Sequence, residues 1–146
     1  MPPDRPRERL VEFTVHGLPI AQGSKNQFGG ESNAKALKPW RNDIKVAAFD
    51  AMSGYPPWSG GVQLRAVFIF PRPKHHFGTG RNAGEVKASA PGWKTSAPDL
   101  DKLVRALGDA LTGVVFKDDA QIVGISVTKI WGQTPGVTVK LASLDA

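Results

Sequence analysis

A chain of 146 residues, 40% hydrophobic and 22% charged, is expected to build one domain with a real core, and its composition excludes wholesale disorder. It contains no cysteine, which excludes disulfides and thiolate metal sites. No apolar run approaches the roughly 18 residues of a membrane span and MPPDRPRERL lacks an apolar signal core, so a cytoplasmic protein without a membrane partner is expected.

The formal charge is +6, and its distribution is uneven. Residues 1–98 hold 14 Lys/Arg against 7 Asp/Glu, whereas residues 99–146 hold 5 against 6. A basic chain of this kind suits a polyanionic partner, and the acids gather where the most distinctive motif lies.

In chain order, residues 1–8 read as a disordered polar tail. Leu10–Val15 (LVEFTV) alternates as a strand and is ended by Gly17-Leu18-Pro19. Residues 21–34 form a Gly/Ser/Asn-rich loop. Lys35–Met52 reads as a helix, with Pro39 in a first-turn position and Trp40, Ile44, Ala47 and Ala48 on one face. Val62–Phe70 (VQLRAVFIF) reads as a buried strand stopped by Pro71 and Pro73. A long mobile basic loop follows over 71–97, then a helix from about Pro98 to Leu111. Gln121–Trp131 reads as a strand, Gly132–Gly136 as a hairpin turn and Val137–Leu141 as the last strand. The order β-α-β-α-β-β predicts a single α+β domain, a mixed β-sheet with packed helices.

The second helix carries its buried stripe at Leu100, Leu103, Val104, Leu107 and Leu111, with Asp101 and Arg105 one turn apart on another face. Four of the thirteen acids flank it in two pairs: Asp99 with Asp101, and Asp118 with Asp119. Two residues apart inside a helix, Asp99 and Asp101 would point about 160° away from each other. They converge only if Asp99 is still extended where the helix begins, which Pro98 favours. Of Asp118 and Asp119, one can face the same way as the first pair. Gathered carboxylates repel unless a cation relieves them, and oxygen-only donors suit Mg²⁺, or Mn²⁺ in its place. A metal site on a basic chain points to phosphate-ester chemistry on nucleic acid. The plainer alternative is that Asp99 caps the helix and Asp118-Asp119 forms a turn.

Residues 98–123, PDLDKLVRALGDALTGVVFKDDAQIV, resemble the signature of the RusA family of Holliday-junction resolvases, small endodeoxyribonucleases typical of phages and prophages. That signature is roughly Asp-x-Asp-Asn-x-x-Lys, then Asp-Gly/Ala-Leu, then Asp-Asp-x-Gln-Val/Ile. The resemblance implies that Asp99, Asp101 and Asp119 are essential metal-binding acids, with Asp118 a lesser neighbour. It implies a homodimer that cuts opposed strands of a four-way DNA junction in a bacterial or phage-infected cell. The family's catalytic Lys falls on Arg105 and its Asn on Lys102, two departures. Arg can clamp a phosphate but is a poor proton donor.

Lys25, Arg72, Lys74, Arg81, Lys94, Lys102 and Lys117 are the candidate DNA contacts. Phe77 and Trp93 are candidates for base stacking or for edge packing; Trp40 and Trp131 fit core or interface packing. His75-His76 is a weak alternative metal site. Two other functions stay open: a non-catalytic nucleic-acid-binding module, and a metal-dependent nuclease of broader branched-substrate range.

Overall fold

The computed structural model describes residues 9–23 and 34–144. The expected tail at 1–8 and the candidate Lys25 lie outside the described residues. Four strands and two helices follow the expected order: β1 (Leu10–His16), α1 (Ala34–Met52), β2 (Val62–Phe70), α2 (Leu100–Leu111), β3 (Ile122–Trp131) and β4 (Gly136–Ser143). The sheet is mixed and ordered β1-β4-β2-β3. β4 runs antiparallel to both β1 and β2, while β2 and β3 are parallel. The α+β class and the element order therefore stand as expected.

Strand residues alternate between two environments because successive side chains point to opposite faces. Val62, Leu64, Ala66, Phe68 and Phe70 of β2 are buried beneath the helices, as are Val137, Val139 and Leu141 of β4. The opposite face carries Glu12, Thr14, Arg65, Thr138 and Lys140, and is open to solvent over β1 and β4. α1 covers the inner face with Leu37, Trp40, Ile44, Ala48 and Met52. α2 contributes Leu103, Ala106, Leu107, Ala110 and Leu111, with Leu100 and Val104 half-buried beside them. The buried face of α2 is thus centred closer to its alanines than the leucine pattern alone suggested.

Two local expectations are corrected. Pro39 is the sixth residue of α1 and not in its first turn. It lies on the exposed side, so the helix gives up one backbone bond there while Leu37 and Trp40 keep their burial. The second correction concerns Gly132–Gly136, which is not a hairpin turn between paired strands: β3 and β4 are not neighbours. The link passes over the end of β2, where Gly132 N–H donates to Phe70 O at 2.9 Å, and delivers β4 to the far side of β2. β2 buries five of its nine residues and lies at the centre of the core, with a partner on each side, so β4 pairs with it and leaves β3 at the edge.

Leu107 and Leu111 are fully buried where α2 meets the core. Leu107→Ala is expected to cost about 2–5 kcal/mol of unfolding free energy, read as a lower urea midpoint with an unchanged slope.

Candidate functional site

The start of α2 has the geometry that convergence of its two acids requires. Asp99 is the N-cap residue, extended at φ −69° and ψ 138°, and its side chain makes no capping hydrogen bond. Its carboxylate lies 3.6 Å from Lys102 Nζ and remains largely exposed. Asp101 sits in the first turn, exposed, with no side-chain partner among the described residues. The partial positive charge of the helix N-terminus favours both carboxylates. Arg105 is exposed one turn after Asp101 and packs its guanidinium against Gly23. Gln22 N–H donates to Lys102 O at 3.0 Å, tying the segment after β1 to the same turn.

A residue that sequence reasoning missed fixes the approach to Asp99. Lys129 of β3 donates to Ser96 O at 2.7 Å and to Pro98 O at 2.8 Å. Lys94 donates to Ala97 O at 2.8 Å and to Ser96 Oγ at 3.0 Å, with its ammonium 4.9 Å from the ring centres of both Phe70 and Trp131. Burial, and then the nearby Lys129, lower the pKa of Lys94. The signal in the sequence was faint: a lone Lys in an otherwise apolar and hydroxylic strand.

The 71–97 segment carries two short 3-10 turns, Lys74–His76 and Gly80–Asn82. Arg72 donates to Pro91 O at 2.8 Å, lies 5.4 Å from the centre of Trp131 and approaches His76 Nδ1 at 3.3 Å. Arg only donates, so that His76 nitrogen accepts and the ring is neutral. Burial of His76, then the charges of His75, Arg72, Lys87 and Lys94, lower its pKa. The structure therefore engages Arg72 and Lys94, two candidate DNA contacts, in holding this segment to the sheet. Lys74, Arg81 and Lys117 are exposed, as is Trp93, whereas Phe77 is half-buried. Trp40 is a core residue, and Trp131 is a packing platform for Arg72, Lys94 and His76.

Asp118 has a structural role as the cap of the 3-10 turn Asp119–Gln121. Its Oδ1 accepts from Ala120 N–H at 2.9 Å, and Gln121 Oε1 accepts from the backbone of Lys117 and Asp118. Gln121 Nε2 donates to Trp58 O at 2.8 Å and Gly60 O at 2.9 Å, anchoring the turn just before β2 begins. Asp119 is exposed, with no side-chain partner among the described residues.

The two acidic pairs do not meet within one chain. Asp99 and Asp101 lie at the C-terminal ends of β2 and β3, next to Phe70, Lys129 and Trp131. Asp118 and Asp119 lie at the N-terminal ends, next to Trp58 and Gly60. Between them run the twelve residues of α2, about 18 Å of helix. Among the described residues, no three His, Cys, Asp or Glu side chains come close enough to hold a metal ion. The expectation of convergence in one chain is corrected here. Its cause is the crossover: a helix joining two parallel strands starts at one end of the sheet and finishes at the other. The donor chemistry of Asp99 and Asp101 still fits Mg²⁺, which takes one or two carboxylates together with water and phosphate oxygens.

On the α1 side, Lys35, Lys38, Arg41 and Lys45 line an open groove of 660 Å³ with Asp109 of α2. Arg41 donates to Gln22 Oε1 at 2.8 Å and sits 3.9 Å from Asp109, and Gln22 Nε2 also donates to that carboxylate. Gln22 bridges Arg41 and Asp109 of this groove, and Asp109 lies one turn after Arg105 on α2.

Most of the chain matches a known protein family and a bacterial protein. The family described as endodeoxyribonuclease RusA matches residues 21–142. The uncharacterized protein YqaN of Bacillus subtilis strain 168 is 28% identical over 143 residues, an alignment covering 93% of this chain and 98% of that protein.

Two outcomes follow from the contacts at the end of the sheet. Lys129→Met removes two charge-assisted hydrogen bonds and is expected to cost about 2 kcal/mol, with faster amide exchange confined to the segment around Ser96–Asp99. For His76, the folded state holds the ring neutral below its ordinary pKa of 6.5, while the unfolded chain takes up the proton first. Its contribution is therefore full above pH 6.5 and is lost as pH falls below that value. Urea midpoints at pH 7.5 and 5.5 are expected to drop more in the parent chain than in His76→Phe.

Proposed function

Since the chain belongs to the RusA family of endodeoxyribonucleases, we propose that it is a Mg²⁺-dependent nuclease that resolves four-way DNA junctions as a homodimer. The observation that carries this reading is the pair Asp99 and Asp101: one extended, one helical, both exposed, with Arg105 a turn away and Lys102 beside them. Asp99 and Asp101 would hold the ion. When bound, such an ion lowers the pKa of a water and draws charge from the scissile phosphate.

The chain's own residues supply the rest. The Lys129 bonds to Ser96 and Pro98 brace the chain where Asp99 is extended, the backbone geometry that a shared site with Asp101 needs. Arg105 would take a non-bridging phosphate oxygen. Its guanidinium stays protonated throughout, so it stabilises charge and moves no proton. Leaving-group protonation falls to water. Lys74, Arg81, Lys102 and Lys117, with the row on α1, offer cations to the phosphates of the junction arms, and Lys25 would extend the set.

The test is a synthetic four-way junction with labelled strands. Nicking is expected in Mg²⁺ or Mn²⁺ and none in EDTA. Asp101→Asn is expected to bind the junction as the parent does and to cut at least about 100-fold more slowly, close to 3 kcal/mol of transition-state stabilisation. Arg105→Lys should cut within about tenfold of the parent and Arg105→Met well below it, because charge and not proton transfer is what the position provides. Binding without cutting under every divalent ion would instead make the chain a nucleic-acid-binding module. Equal cutting of flaps, forks and junctions would make it a nuclease of broader range.

A further inference from the structure

The chain leaving β1 crosses α2, and Gln22 binds the helix twice in that crossing. Its N–H donates to Lys102 O at 3.0 Å, and its side-chain amide donates to the carboxylate of Asp109. Its side-chain oxygen accepts from Arg41 of α1 at 2.8 Å, and Arg41 stands 3.9 Å from the same carboxylate. The three polar groups close a triangle that joins the exit of β1 to both helices. Asp109 has no part in the chemistry proposed above; its charge is engaged here.

Gly23 comes next, at φ +100°, a conformation that glycine adopts without strain and other residues avoid. Its missing side chain also makes room. A Cβ on Gly23 would overlap Arg105 Nη1 and stand 3.3 Å from Arg105 Cζ. The guanidinium therefore lies against bare backbone. Asp101 and Asp109 stand one turn before and one turn after Arg105, and an acid at that spacing ordinarily draws an arginine to it. Arg105 nevertheless forms no ion pair among the described residues. Gln22 and Arg41 occupy Asp109, and the bend at Gly23 holds the guanidinium in a place of its own.

We infer that Asp109, Gln22 and Gly23 are positioning residues for Arg105. The carboxylate anchors the bend, and the bare backbone of the bend fixes where the guanidinium lies before a phosphate reaches it. A planar fork fixed in advance loses less freedom for each hydrogen bond it then makes. The catalytic consequence rests on the nuclease reading, whereas the seating of the guanidinium does not.

Seating is read without DNA, on the full chain. The Arg105 Nε–H signal, identified by its loss in Arg105→Lys, is expected to show a heteronuclear NOE close to that of the backbone. In Asp109→Ala and in Gly23→Ala it is expected to fall toward that of a free side chain. Asp109 is exposed, so its variant keeps the fold even where Gly23→Ala does not. A parent signal already as mobile as a free side chain, or one unchanged in Asp109→Ala, overturns the seat.

The junction assay then reads the consequence. Asp109→Ala is expected to bind the junction at least as tightly as the parent, because Arg41 loses its acidic neighbour. It is expected to cut about tenfold more slowly in a single turnover. An Arg105→Lys chain lacks the fork that the bend seats, so there the same substitution should change the rate by less than about twofold. Equal losses in the two backgrounds, or no loss in either, overturn the positioning role. A parent inactive on every substrate overturns the nuclease reading, and the NOE still decides the seat.

Discussion

The parallel pairing of β2 with β3 governs the rest of this molecule. Parallel neighbours cannot be joined by a tight turn; the chain must travel back the full length of the sheet before the second strand begins. Here α2 makes that return, and the surfaces it buries, Leu103, Leu107 and Leu111 against the core, hold it along the sheet. Everything attached to the two ends of α2 is therefore attached to two ends of the domain. The acids at its start and the acids after its finish are neighbours in sequence and distant in space for this reason alone.

The start of α2 is built with more care than its end. Three cationic side chains, Arg72 and Lys94 of the 71–97 segment and Lys129 of β3, use their donors on backbone carbonyls between Pro91 and Pro98 and not on carboxylates. This satisfies carbonyls that an irregular segment leaves open, and it does so without neutralising Asp99 or Asp101. Trp131 and Phe70 provide the apolar floor on which those cations rest. The result is a rigid approach to two acids whose oxygens remain available. At the other end, Asp118 and Gln121 use their polar groups on the turn itself, which leaves Asp119 as the free carboxylate there.

Much of this could be read from residue order. Alternation along VQLRAVFIF and the 3.6-residue spacing of the leucines in α2 report burial directly, since each depends on local geometry. The extended Asp99 followed from Pro98 and the needs of a two-residue spacing. What escaped were facts of pairing. The loop Gly132–Gly136 has the length and residues of a hairpin, and only the demand of β2 for two partners sends β4 elsewhere. Lys129 is an ordinary strand lysine until the 94–98 segment lies across it. The separation of the acids was legible in principle: a parallel β2-α2-β3 crossover by itself puts Asp99 and Asp119 at opposite ends of the sheet. The motif invites the opposite conclusion because residues named together are easily imagined together.

A single amide clasps the entrances of both parallel strands. Gln121 accepts from the backbone of Lys117 and Asp118 before β3 and donates to Trp58 and Gly60 before β2. Exchange for glutamate would turn two donors into acceptors aimed at carbonyls, so both entrances would loosen together.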